Sequence, residues 1–221
     1  MSSIAENLAA VRERIARAAD RARRDPASVA LIAVSKMHDA AAIRAAYEAG
    51  QRRFGENYVQ ELDAKATELA ALSDLEWHFI GHLQRNKVKA VLRARPVVHT
   101  VDSTRLADEL AQRATGGRAR VLLQVNVARE PQKSGAAPEE LDALVAHARA
   151  LPALDVLGLM LIPPESGDPR PHFRALRALA ERHGLAELSL GMSSDLDVAV
   201  EEGATLVRVG TAIFGPRAPR P

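Results

Sequence analysis

Eight short apolar runs, at roughly residues 29–36, 52–56, 76–81, 97–101, 120–126, 155–162, 187–192 and 205–210, alternate with stretches patterned as helices. Such alternation calls for a parallel sheet, because each strand must be followed by a crossover before the next can lie alongside it. Eight strands separated by seven helices, with one helix in front, is the element count of an α/β fold, a single (β/α)8 TIM barrel with an additional N-terminal helix. An open doubly wound sheet is the alternative, but no G-x-G-x-x-G or Walker pattern follows any strand, which weakens its nucleotide-binding form.

The leading helix is marked by Ile4, Leu8, Val11, Ile15 and Ala18 at helical spacing, with Ser3 and Glu6 forming a capping-box pattern. The expected organisation is one domain over 1–221, with the N-terminal helix in 1–24 and the barrel in 29–216. Glycines stand where left-handed helix ends are expected, in "YEAG" (Gly50), "ATGG" (Gly116, Gly117), "ERHG" (Gly184) and "VEEG" (Gly203). Pro138 and Glu139 open a helix before Leu141, and Ser194 with Asp197 repeats the capping box. The proline-rich "IPPESGDPRP" (162–171) is too short to divide domains.

Composition removes several function classes. Aromatic residues are only 3%, so a base-stacking nucleic-acid surface is not expected, and the 30 basic against 28 acidic residues contain no block of five like charges. With no cysteine there is no disulfide, thiolate metal site or catalytic thiol. The N-terminus carries charge from Glu6 onward, and no apolar run approaches the length of a membrane span. A cytoplasmic protein with no nucleic-acid or membrane partner is the expectation.

In a barrel of this kind ligands sit at the C-terminal strand ends, with phosphate commonly held after strands seven and eight. Strand seven runs into "LSLGMSSD", where Gly191 permits close backbone approach and Ser193 and Ser194 stand before a helix. Strand eight runs into "LVRVGTAIFG", where Gly210 and Thr211 offer backbone N–H groups and a hydroxyl. Each feature alone is also an ordinary turn or cap. Arg208, between Val207 and Val209, faces opposite to them, either toward the helices and a surface glutamate or into the barrel mouth.

Lys36 ends the first apolar run, "VALIAVSKMHD". A solvated lysine just past a strand is the plain reading. Only five of the 30 basic residues are lysines, however (Lys36, Lys65, Lys87, Lys89 and Lys133), so the chain does not depend on lysine for surface charge. Apolar surroundings and a nearby cation lower an amine's pKa and free it to attack a carbonyl. A lysine at one strand end and a phosphate cup at two others suggest a phosphorylated aldehyde. His78 and His82 are four apart but fall in a strand and its following loop, so no metal pair is expected. Asn57, in "FGENY", could contact a ligand or make a turn, and "EPQKSG" (130–135) reads as a long loop, either a flexible one over the site or, more simply, a plain surface loop.

The segments "AVSK" (33–36), "FGENYVQE" (54–61), "WHFIGHLQRNK" (77–87), "KSG" (133–135), "GLM" (158–160), "LGMSSD" (190–195) and "VRVGTAIFG" (207–215) together resemble the pyridoxal phosphate homeostasis proteins. The resemblance runs in order over residues 29–216. It implies the barrel of alanine racemase, of PLP fold type III, with pyridoxal 5′-phosphate (PLP) held as a Schiff base and buffered or delivered within the vitamin B6 pool. On matching positions it makes Lys36 the imine-forming residue, Ser193, Gly210 and Thr211 the phosphate contacts, Arg208 the partner of the pyridine nitrogen and Asn57 a contact of the ring substituents, with His78 and Met192 lining the pocket. One departure is Met37 after Lys36, where many members have threonine.

The resemblance also bears on turnover, with no efficient catalysis and no catalytic residue expected. An arginine at the pyridine nitrogen leaves it unprotonated and makes the ring a poorer electron sink than a carboxylate would. The similar racemases use a second base, a tyrosine from a further domain of a partner subunit; here the chain ends at Pro221, soon after the last strand, and its tyrosines are Tyr47 and Tyr58. That also favours a monomer, with PLP-dependent apoenzymes as recipients of the cofactor. The rivals are a slow PLP-dependent racemase-like enzyme, a Schiff-base aldolase for a phosphorylated sugar, and a protein-binding module.

Overall fold

The computed structural model describes residues 3–216. Its strands are β1 (Ala30–Val34), β2 (Arg53–Glu56), β3 (Glu76–Phe79), β4 (Val97–Val101), β5 (Ala119–Gln124), β6 (Leu154–Met160), β7 (Glu187–Ser189) and β8 (Leu206–Val209). Each runs parallel to the next, and β8 closes the barrel on β1, with Leu206 opposite Ala30 and Arg208 opposite Ile32. The helices are α1 (Ile4–Arg21), α2 (Ala40–Glu48), α3 (Val59–Glu68), α4 (Val88–Arg93), α5 (Thr104–Arg113), α6 (Leu141–Ala150), α7 (Arg170–His183), α8 (Leu196–Glu201) and α9 (Thr211–Phe214). The (β/α)8 architecture is therefore the one the alternation predicts: α2 to α8 are the seven crossovers and α1 stands in front. The single turn α9 is an element the pattern did not announce.

Period-two alternation sorts each strand between two environments. Val207 and Val209 of β8, like Trp77 and Phe79 of β3, point outward and join the large core between barrel and helices. Burying one such side chain contributes roughly 1.5–3 kcal/mol, so this layer carries most of the stability. The inward residues Ile32, Val97, Leu122, Met160 and Leu206 form a smaller apolar cluster along the barrel axis. The same parity turns polar residues inward as well, among them His78, His99, Ser189 and Arg208, which are all buried.

α1 packs through Leu8, Val11, Ile15 and Ala18, and its capping box forms as read: Ser3 Oγ accepts from the Glu6 amide while Glu6 accepts from the Ser3 amide. Gly184 ends α7 in the left-handed conformation at φ 59°. α5 instead stops at Ala114 in an extended conformation, and Gly116 and Gly117 lie in the loop beyond. The second expected capping box does not form. α8 starts after Asp195, whose carboxylate accepts from the Met192 amide, while Asp197 is drawn away by Arg14 and Arg21 of α1. Among the described residues no helix is long and apolar enough to cross a membrane.

Candidate functional site

The C-terminal strand ends surround a cavity of about 360 Å3. Seven of the eight residues singled out in the sequence lie on its wall: Lys36, Asn57, Met192, Ser193, Arg208, Gly210 and Thr211. His78 does not. Inward positions on β3 fall at 76, 78 and 80, and it is Ile80 that reaches the cavity, so His78 lies one inward step, about 6.6 Å, nearer the barrel floor. It is 2% exposed and bonded to His99, so its expected place on the pocket wall is corrected to the barrel interior.

Lys36 occupies the turn after β1, and the peptide groups on both sides of it are tied to one buried cluster. Ser35, fully buried, donates its hydroxyl to Glu56 Oε1 at 2.7 Å, and its carbonyl accepts from Lys65 Nζ at 2.9 Å. On the other side Met37 sits in the left-handed region at φ 64°, a conformation costing roughly 1–2 kcal/mol for a non-glycine residue. Its amide donates to Glu61 Oε2 at 2.7 Å. Lys65 completes the cluster by donating to Glu56 Oε1 at 2.8 Å and Glu61 Oε2 at 2.9 Å. Burial pushes the Glu56 carboxyl up, against the pull of Lys65. The sequence did carry one sign of this cluster, the Glu61–Lys65 pair at i, i+4 on a helix, but not its burial.

Arg208 faces inward. Its Nη1 donates to Ser189 Oγ at 2.5 Å and its Nη2 to the Leu161 carbonyl at 3.0 Å, so its partners are a hydroxyl and a carbonyl rather than a carboxylate. Burial lowers its pKa to about 10, which still leaves it charged at neutral pH. The alternative of a surface ion pair on the helix side is thereby replaced by a cation held at the cavity.

The loops after β7 and β8 form the opposite wall. Gly191 has φ 80°, and a Cβ there would lie 2.4 Å from Ala199 Cβ, so the close turn needs glycine. A Cβ on Gly210 would come within 3.0 Å of the Val34 carbonyl oxygen, so the β8 end lies hard against the β1 end that carries Lys36. Helix α1 braces both loops: Arg14 Nη1 donates to the Ser193 carbonyl at 2.7 Å, and Asn7 Nδ2 to the Ile213 carbonyl at 2.9 Å. Asn57 lies across from them, and its Oδ1 is a buried acceptor with no hydrogen-bond partner among the described residues. Leaving such an atom unsatisfied costs about 1–3 kcal/mol unless a ligand donor meets it.

This donor set fits a phosphorylated aromatic aldehyde: an amine, a close-packed glycine edge with hydroxyls beside it, a permanent cation and an unspent acceptor. The "EPQKSG" loop is tied down rather than loose. Gln124 Nε2 donates to the Ser134 carbonyl, and Lys133 Nζ to the Pro163 carbonyl at 2.8 Å. His82 is exposed, with its Nδ1 3.2 Å from Ser134 Oγ, and among the described residues no group of three His, Cys, Asp or Glu is placed to hold a metal ion.

Comparison with known proteins agrees with this geometry. Residues 7–218 match the family described as "Alanine racemase, N-terminal domain". The pyridoxal phosphate homeostasis protein of Pseudomonas aeruginosa is 48% identical over 224 residues, covering 98% of this chain and 97% of that one. The structure of PipY from Synechococcus elongatus with PLP bound is 42% identical, with a TM-score of 0.85 over 96% of this chain and 100% of that chain. Alanine racemase from Corynebacterium glutamicum shares the fold alone, at 18% identity and a TM-score of 0.71, over 95% of this chain and 59% of the racemase.

Proposed function

The chain belongs to the family of pyridoxal phosphate homeostasis proteins, built on the alanine racemase N-terminal domain, and from that membership we propose that it binds PLP in the barrel-mouth cavity with Lys36 as covalent anchor. Its role is that of a carrier or regulator in vitamin B6 homeostasis. The observation that carries this reading is that Lys36, the two glycine-edged loops and Arg208 share one cavity in a family with a PLP-bound member.

When bound, PLP supplies an aldehyde carbon open to a primary amine and a ring that can delocalise charge. Lys36 provides the amine, and the Glu56–Lys65–Glu61 cluster fixes the backbone on either side of it. Ser193, Gly210 and Thr211 hold the phosphate with hydroxyls and backbone N–H groups, and α1 keeps their loops in place. Arg208 faces the ring nitrogen as a donor that keeps its own proton, and Asn57 Oδ1 accepts from a ring substituent.

Turnover is not efficient on this reading, for two reasons. Arg208 holds the ring in its less electron-withdrawing form, and neither tyrosine lines the cavity to act as a second base. Tyr47 is engaged on the outer surface, with its hydroxyl on Asp74 and its ring under Arg52. Incubation with L- or D-alanine followed by chiral analysis tests this: a carrier gives no more than stoichiometric change, whereas many turnovers per chain would establish the slow-racemase reading instead. A cytoplasmic monomer that supplies PLP-requiring apoenzymes completes the proposal. Light scattering checks the monomer, and a dimer as the functional form would remove that part.

A further inference from the structure

A line of buried polar groups runs from the cavity to the barrel floor, through a core that is otherwise apolar. Arg208 Nη1 donates to Ser189 Oγ at 2.5 Å; Ser189 Oγ lies 2.9 Å from His99 Nδ1; His99 Nε2 lies 2.8 Å from His78 Nδ1; and His78 Nε2 faces Glu76 Oε2 at 3.8 Å. His78 is 2% exposed, and His99 and Ser189 are fully buried. Nothing in the proposed PLP chemistry uses either histidine, yet the pair occupies space where Ile32, Val97 and Leu122 pack. Burying polar groups there is costly unless each finds a partner, and one atom of the line has none among the described residues: His78 Nε2 makes no hydrogen bond, with Glu76 at 3.8 Å beyond reach.

The two ends decide which way the protons point. Arg208 has only donors, so Ser189 Oγ must accept from it. At the floor, Glu76 is an acceptor, held as a carboxylate by Arg120 at 2.6 Å and Arg53 at 2.9 Å, and it faces His78 Nε2. At 3.8 Å that carboxylate is too far for a hydrogen bond, but its charge favours an N–H over a lone pair at His78 Nε2, with Nδ1 left as the acceptor. His99 must then donate from Nε2 and accept at Nδ1, where the Ser189 hydroxyl supplies the proton. Both ends favour the same order, in which every donor points from the mouth toward the floor.

We infer that Ser189 and His99, backed by His78, are positioning residues that hold the Arg208 guanidinium toward the ligand through this one-directional relay. The inference rests on the proposed PLP site for its ligand. The groups facing His99 are His78, Ser189 and Arg208; those facing His78 are His99, Glu76, Arg53 and Arg120. Burial depresses the pKa of both rings, His99 the more strongly, which favours the neutral forms that the relay requires. A carboxylate in place of Ser189 would neutralise Arg208; a hydroxyl backed by neutral imidazoles orients the guanidinium and leaves its charge for the ligand.

The test begins on the full chain without added PLP. Proton–nitrogen correlation spectra of the imidazole rings are expected to show both His78 and His99 neutral with the proton on Nε2 between pH 6 and 8. A proton on Nδ1 of either ring, or an imidazolium, overturns the relay. The variants Ser189→Ala and His99→Phe should then broaden or lose the slowly exchanging guanidinium N–H signals of Arg208. They should also weaken PLP binding about tenfold, with covalent attachment still at Lys36 and with His99→Gln recovering part of the loss. Unchanged Arg208 signals and unchanged PLP affinity in both variants would refute the positioning role. If the wild-type chain takes up no PLP, the functional proposal fails, while the ring tautomers and Arg208 signals still decide the relay.

Discussion

Replacing Lys65 by methionine tests the cluster behind Lys36 and gives a magnitude that can be worked from contacts. Lys65 is 7% exposed, and its three N–H donors reach Ser35 O, Glu56 Oε1 and Glu61 Oε2 at 2.8–2.9 Å. Methionine keeps the length of the chain but removes the charge, leaving Glu56 fully buried with only the Ser35 hydroxyl as partner and with Oε2 already unpaired. Breaking one side of a buried pair costs about 3–5 kcal/mol. For a chain of this size that is a fall in Tm of roughly 6–20 °C. The double variant Lys65→Met/Glu56→Gln removes the orphaned charge and should recover most of the loss. Burial pushes the folded-state pKa of Glu56 up, so the protonated form is favoured by folding and the penalty is felt as pH rises through that raised value. The single variant should therefore lie nearer wild type in mild acid than at pH 8. Thermal and urea unfolding at two pH values suffice as the assay. A single variant within 1 kcal/mol of wild type, or a double variant no better than the single, would refute the reasoning.

Three further outcomes are expected. Asn57→Leu removes a buried acceptor without a partner, so the ligand-free chain should become more stable by about 1 kcal/mol while PLP affinity falls; unfolding and absorbance titration read the two, and a loss of stability with unchanged affinity would contradict the site. Glu76 is held well below the usual carboxylate range, first by the facing His78 ring and then by Arg120. Its contribution is thus present above the ordinary carboxylate pKa of about 4.3 and lost as pH falls below it; the stability difference between wild type and Glu76→Gln should shrink in acid, and a constant difference from pH 3 to 7 would be inconsistent. Lys36→Ala should leave cooperative unfolding intact, because the residue lies in a half-buried turn and not in the packed barrel, and a collapse of the transition would count against that placement.

The barrel was legible because each strand is a compact apolar run and each crossover carries a helical pattern, so element order and closure followed from a count. Lys36, Gly210 and Ser193 were legible because this fold presents its strand ends at one face. Arg208 was half legible: alternation put it opposite Val207 and Val209, but only the register with β1 shows that this side is the interior. His78 was misplaced for the complementary reason, since its motif was visible and its depth was not; a single inward step along β3 separates the cavity wall from the buried layer. His99 in "VVHTV" and Ser189 in "LSL" carried a usable sign, a lone polar residue at an inward position of an apolar strand. The failed capping box at Ser194 and Asp197 was decided by α1, whose Arg14 and Arg21 outcompete the local turn across a long sequence separation.

The measurement that bears most directly on the central claim is the visible absorption spectrum of the purified protein, followed by borohydride reduction and peptide mass. The expected result is a yellow protein whose colour is lost on reduction, with the pyridoxyl mass on the peptide that contains Lys36. A colourless protein that gains no adduct after incubation with PLP would contradict it, and would make Lys36 an ordinary strand-end lysine.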